Sequence, residues 1–183
     1  MGKFYTGLGD DGTTGLLGEG RIPKYDLRME ALGAIDEASA ALGIARSHST
    51  RVDTQTRILT IQRELYQFMA ELAATPENAR RFHFIDSKSV SRLEEEIFDL
   101  GKDMEISREF IVPGDSPSGA ALDLARVTVR RAERRIAEVL ARGIISNNEL
   151  LRYLNRLSSL LFLMELSENA ATGRDNPTLA KEK

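Results

Sequence analysis

Apolar residues in this chain recur every three or four positions in five separate stretches, and that rhythm restricts the fold more than anything else in the sequence. Ile58, Ile61, Leu65, Phe68 and Leu72 keep the step, as do Val90, Leu93, Ile97, Leu100 and Met104. The pattern returns in Leu150, Leu154, Leu157, Leu161 and Met164, and in Ala31, Ile35, Ala38, Leu42 and Ala45. Leu122, Ala125, Val129, Ala132 and Ile136 supply the fifth set. A period near that of the α-helix puts each set on one helical face, so the spacing predicts an all-α fold, a five-helix up-and-down bundle. The first helix is expected from about Asp26 to Ser47. Pro76 follows the second, Asp86 or Ser87 caps the third, P-G-D-S-P around Pro113 breaks the chain before the fourth, and Ser146 with Glu149 reads as a capping box opening the fifth.

At 183 residues, without a compositional break or an internal repeat, the chain reads as one domain large enough to bury such a core. Residues 1–25 form a glycine- and threonine-rich leader, 26–172 the bundle, and 173–183 a polar tail expected to fray. The formal charge of −3 argues against nucleic-acid binding, which usually marks a net basic domain. An anion site must then be local. The absence of cysteine removes disulfides, thiolate metal sites and a cysteine nucleophile, and two histidines cannot build a multi-histidine centre. With no long apolar run and no charged-then-apolar leader near Met1, the expectation is a soluble, cytoplasmic protein with no membrane partner.

The fourth helix carries more cation than the edge of a core requires. From Asp123 to Arg135 it reads D-L-A-R-V-T-V-R-R-A-E-R-R. Arg126, Arg130 and Glu133 stand roughly a quarter-turn from the apolar stripe, while Arg131, Arg135 and Arg142 point away from the core. The first set suits a polyanion; it also suits a charged flank whose arginine stems cover apolar surface. The leader, Y-T-G-L-G-D-D-G-T-T-G-L-L-G from Tyr5 to Gly18, exposes closely spaced N–H groups and hydroxyls of the kind phosphate oxygens need, with Lys24 just downstream. It is not a Walker A loop, because no G-K-[ST] follows. The alternative is a disordered leader, against which Leu16 and Leu17 offer anchors to the bundle.

Asp36 shares a face with Gly33, Ala40 and Gly43, small residues that let another backbone approach. A carboxylate covered there requires a cation, for which Arg126 or Arg130 is available; the other reading leaves Asp36 in water beside Glu37. Phe110 precedes I-V-P-G before the arginine helix and reads as a core plug or as a ligand contact. A ferritin-like di-iron bundle would need Glu-x-x-His pairs, and neither His48 nor His83 has a glutamate three residues earlier.

Taken in order, the leader, R-x-x-x-L-G-A-I-D-E ending at Glu37, F-I-V-P-G from Phe110, A-R-V-T-V-R-R-A-E-R-R, and Y-L-N-R-L-S with Asn155 resemble the PduO-type ATP:cob(I)alamin adenosyltransferases. The resemblance runs from Tyr5 to about Glu168, carried by the flanking segments. It implies a homotrimer of five-helix bundles with ATP held between subunits. The leader would wrap the triphosphate through Thr6, Gly7, Leu8, Gly9, Thr14, Gly15 and Lys24. Arg130, Arg131, Glu133, Arg134 and Asn155 would complete the nucleotide site, with magnesium on the ATP phosphates and its protein ligands unknown. Asp36 and Arg126 would form a salt bridge across the subunit interface, and Phe110 would cover the lower face of the corrin.

The implied reaction is transfer of the 5′-deoxyadenosyl group of ATP to Co(I) of reduced cobalamin, releasing triphosphate. A flavoprotein reductase and an adenosylcobalamin-dependent enzyme are the implied protein partners. The family leader commonly reads T-K-T-G-D-K-G, so Gly7 and Asp11 stand here in place of two lysines, which implies weaker ATP binding. Asp115 stands where the family has glycine and is expected to add an acid near the corrin. A non-catalytic carrier or sensor of cobalamin or ATP on the same bundle is the competing expectation.

Overall fold

Residues 4–174 and 176–181 are described by the computed structural model. Three of the five helices begin where the sequence offers their N–H groups a capping side chain. Helix α1 (Leu27–His48) opens at Asp26, whose carboxylate accepts from the Arg28 N–H. Helix α3 (Ser87–Gly101) opens on a reciprocal capping box between Asp86 and Ser89, and α4 (Pro117–Ala141) on Ser116, with Pro117 in the first turn. Helices α2 (Val52–Ala73) and α5 (Glu149–Ala171) complete the five. A 3-10 turn spans Ala79–Phe82, and two short strands, β1 (Thr13–Gly15) and β2 (Arg21–Pro23), form an antiparallel hairpin with Thr14 opposite Ile22.

Helix α1 packs on α2 and α4, α4 on α5, and α5 on α3. Ion pairs from Arg57 to Glu96 and from Arg92 to Glu64 then join α2 to α3 and close the ring. The tyrosine hydroxyl of Tyr153 donates to the same Glu64 at 2.6 Å, so α5 is tied into that seam. Ile35, Leu42, Ile61, Leu65, Leu122, Leu154 and Leu157 meet in the fully buried interior. Where α1 faces α4 the buried residues are small: Ala31, Ala34, Ala38, Ala41 and Ala45 on one, Ala121, Ala125 and Ala132 on the other.

Four expectations change. Helices α3 and α4 are consecutive but do not pack on each other, so the bundle is not a simple up-and-down succession; residues 102–116 carry the chain past α5. Met104 lies outside α3, which stops at Gly101, a residue with poor helix propensity seated against Leu163. The Ser146–Glu149 capping box does not form. Instead the Glu149 N–H donates to the Asn147 side chain, whose amide donates in turn to Glu71 and to the Ile85 carbonyl, pinning the start of α5 to the end of α2. Finally, the described part of the tail does not fray: Ala180 N–H donates to the Phe110 carbonyl and Val112 N–H to that of Thr178, both at 2.8 Å. Among the described residues no helix is long and apolar enough to cross a membrane.

Candidate functional site

The leader is folded by its own short side chains. Asp11 accepts from both the N–H and the hydroxyl of Thr13, at 2.9 and 2.7 Å, and Arg21 donates to the Thr13 hydroxyl and carbonyl. The Thr13 hydroxyl, its N–H and then the Arg21 charge hold the Asp11 carboxyl below its ordinary range. Asp11 therefore builds the loop, its acceptors turned toward Thr13. Thr6 accepts from the Leu8 N–H, and Gly7 turns the chain at φ 72°, a conformation that favours glycine. A Cβ on Gly9 would stand 3.1 Å from the Lys24 Nζ, so the ammonium group lies over the Gly9 backbone. The anchor to the bundle is main-chain: Leu17 bridges Ala74, with Leu17 N–H to the Ala73 carbonyl at 2.7 Å, while the Leu17 side chain stays exposed.

On α4, Arg130 and Arg134 are exposed and one turn apart, and Arg134 donates to the Arg130 carbonyl at 3.0 Å. Glu133 accepts from the Asn155 side-chain amide of α5 at 2.9 Å. Arg156 donates to the other end of Asn155 and reaches Glu94 of α3 at 2.8 Å. Arg131 is turned to Glu37 of α1, and Arg135 and Arg142 share Glu138, as expected for outward arginines.

One turn earlier, Arg126 pairs with Asp123 and borders a cavity of about 280 Å³. Arg108, Phe110, Phe162 and Glu165 line the rest. Phe110 is 86% exposed, so it is not the core plug that its position allowed. Glu165 is buried in the cavity wall, and its loss of water pushes the carboxyl up to about 7, with Asp123 adding to the rise and Arg126 opposing it. Asp115 is not in the cavity lining, though its charge also adds to the rise at Glu165; its carboxylate accepts from the Thr178 N–H and hydroxyl at 2.9 and 2.6 Å.

The single chain thus brings Arg126 to Phe110 and Glu133 to Asn155, but leaves other candidates apart. No hydrogen bond or ion pair among the described residues joins residues 4–24 to α4 or α5. Asp36 is exposed, and Arg126 is held by Asp123. Sequence reasoning missed Arg21, Asp123 and Glu165. Asp123 left a signal as the one acid within a helical turn of Arg126, and Glu165 as a carboxylate directly after the apolar run Leu160 to Met164.

The pattern of the family described as cobalamin adenosyltransferase matches residues 4–168. Over 175 residues the chain is 38% identical to the corrinoid adenosyltransferase of Bacillus subtilis, covering 93% of this chain and 89% of that protein. It is 36% identical over 174 residues to the corrinoid adenosyltransferase PduO of Salmonella typhimurium, covering 94% of this chain. The chain spans about half (52%) of the length of that PduO. Among solved structures, the backbone matches a PduO-type adenosyltransferase of Lactobacillus reuteri, an arginine-to-lysine variant complexed with ATP, with TM-score 0.87 and 29% identity over 97% of this chain and 100% of that one. A phenylalanine-to-alanine variant from the same organism, complexed with cobalamin and ATP, matches with TM-score 0.85 and 30% identity over 98% and 100%.

Proposed function

The chain belongs to the cobalamin adenosyltransferase family, and we propose that it transfers the 5′-deoxyadenosyl group of ATP to the Co(I) of reduced cobalamin. The Co(I) electron pair attacks C5′, the C5′–O bond breaks, and its electrons leave with triphosphate. The single observation that carries this reading is the order of side chains along α4. Arg126 borders the cavity beside Phe110, and Arg130, Glu133 and Arg134 follow within two turns, with Asn155 alongside. A corrin seated at Phe110 would lie one or two helical turns, about 5–11 Å, from a triphosphate on those arginines. The protein's part is to align the reacting atoms and to stabilise the charge that gathers on the leaving group.

The active assembly in this reading is a homotrimer. One protomer's leader (Thr6, Gly7, Leu8, Gly9, Thr14, Gly15 and Lys24) closes on the nucleotide held by its neighbour's Arg130, Glu133, Arg134 and Asn155. The lack of any link between leader and α4 within one chain supports that division. Exposed Asp36 of one protomer would meet Arg126 of the next, drawing it from Asp123. Arg131, committed to Glu37, would act through long-range charge.

Magnesium fits as a cation carried on the triphosphate. Among the described residues no group of three acidic or histidine side chains is set to hold a metal alone, and Glu133 offers a hard oxygen donor beside the phosphates. Its contribution there would be to neutralise charge on the leaving triphosphate. Phe110 would cover the lower corrin face, displacing the axial ligand so that Co(II) becomes easier to reduce. A flavoprotein reductase would supply the electron, and an adenosylcobalamin-dependent enzyme would take the product.

The test is product formation from ATP and chemically reduced cobalamin, followed by the change in the corrin spectrum. Arg130→Ala should abolish turnover while leaving the fold intact, because the side chain is exposed. Near-normal rates at saturating ATP would remove Arg130 from its role. Tight cobalamin binding by the unmodified protein without any product would favour a carrier.

A further inference from the structure

Ile111 is half-buried beside α5, but the main chain of the segment that carries Phe110 finds its hydrogen-bond partners at the far end of the chain. Among the described residues, the only backbone hydrogen bonds of residues 110–114 go to the tail: Ala180 N–H to the Phe110 carbonyl and Val112 N–H to the Thr178 carbonyl, with Ile111 bridged to Leu179. Among the described residues, 105–109 hold only a local bond from Glu109 N–H to the Ser107 hydroxyl. After it, the chain is fixed again at Ser116, which caps α4 and donates to Asn169 of α5 at 2.6 Å. At that junction Gly119 lies so close to Asn169 that a Cβ would overlap its amide oxygen, so α4 and the end of α5 are in direct contact there. Between these two fixed points Asp115 accepts both donors of Thr178. The Phe110 ring is itself exposed, so no packing fixes its direction; the backbone must do so.

Resting on the function proposed above, we infer that residues 176–181 form a strap that positions Phe110 against the corrin, latched by Asp115 and Thr178. The strap orders the main chain of 110–112 before ligand arrives, so the cost of ordering it is not charged to binding or to ligand displacement. Asp115 is on this account a positioning residue. What its carboxylate adds is a fastening for this chain's tail.

The chain contains no tryptophan, so Phe110→Trp introduces one fluorophore at the site and reports loop mobility without cobalamin. The second readout, on the Phe110 background, is the fraction of bound cob(II)alamin that loses its lower axial ligand when ATP is present, measured by magnetic circular dichroism. Thr178→Val keeps size but removes the hydroxyl, Thr178→Ser restores it, and truncation before residue 176 removes the strap. Thermal unfolding confirms that each variant folds.

Thr178→Val and the truncation should speed the anisotropy decay of the indole. Thr178→Val should also lower the ratio of four- to five-coordinate cobalt by about fivefold, the change expected for one net hydrogen bond, and the truncation should lower it further, with KM for ATP unchanged and with rescue of Thr178→Val by Thr178→Ser. Unchanged indole mobility in the truncated protein would overturn the strap. Greater mobility with an unchanged four-coordinate fraction would overturn its positioning role. If the unmodified protein forms no four-coordinate cobalt, the functional reading fails and the indole measurement still decides whether the strap holds the segment.

Discussion

Glu165 enters α5 directly after an apolar run, and its position in the wall of the Phe110 cavity makes it a liability for folding at neutral pH. Its carboxyl titrates near 7 in the folded protein against an ordinary 4.5. Between those values the folded state binds more proton than the unfolded chain, so this group's favourable contribution is present below about 4.5 and is lost as pH rises through about 7. Glu165→Gln should therefore raise the thermal unfolding midpoint at pH 8 and change it little at pH 5. Equal shifts at both pH values would contradict the assignment. The sequence revealed Arg126, Arg130 and Glu133 as a charged flank because helical spacing aligns them, whereas Asn155, on another helix, entered only through the family resemblance. The Asp123 partner of Arg126 was legible too, as the one acid within a helical turn of it, and was missed because Arg126 was read only as a partner for Asp36 or a polyanion. Asp11 and Asp115 read as stray negative charges in sequence; both are spent on threonine hydroxyls, a use that only three-dimensional proximity discloses.

At the scale of elements, α4 has two faces, an alanine-rich one toward α1 and a charged one to which the proposed function gives the triphosphate. Small residues on both sides let the two helices approach closely, which fixes the angle at which the arginines are presented. Ala125→Leu should overpack this seam and cost about 1–3 kcal/mol, read from chemical denaturation, with ATP binding weakened because the arginine face shifts. An unchanged denaturation midpoint would mean that the seam has room. Long elements were legible because burial imposes a period on the chain. The three-residue strands of the leader and the tail's pairing with 110–112 were not, because they are held by main-chain bonds that leave almost no side-chain pattern. The start of α5 was misplaced for a related reason: Ser146 has the right spacing for a cap, but Asn147 also reaches Glu71 and Ile85, and those tertiary bonds decide.

For the whole molecule, each apolar stripe announces that a helix face is buried without saying against which partner. The ring order α1, α4, α5, α3, α2 was therefore invisible in sequence, although the number of helices was plain. The same limit applies outside the chain. Asp36 and the arginine face are exposed, as is most of the leader, and the trimer proposed above would bring them together across its interface. Complementation tests this most directly. Arg130→Ala has a sound leader and a damaged α4, whereas Lys24→Ala has the reverse, so each alone should be inactive or nearly so. Co-expressed at equal levels, random assembly in a cyclic trimer should leave about one quarter of the shared sites intact and restore about that share of adenosylcobalamin formation. Activity no higher than that of the two variants assayed separately would contradict a site shared between protomers.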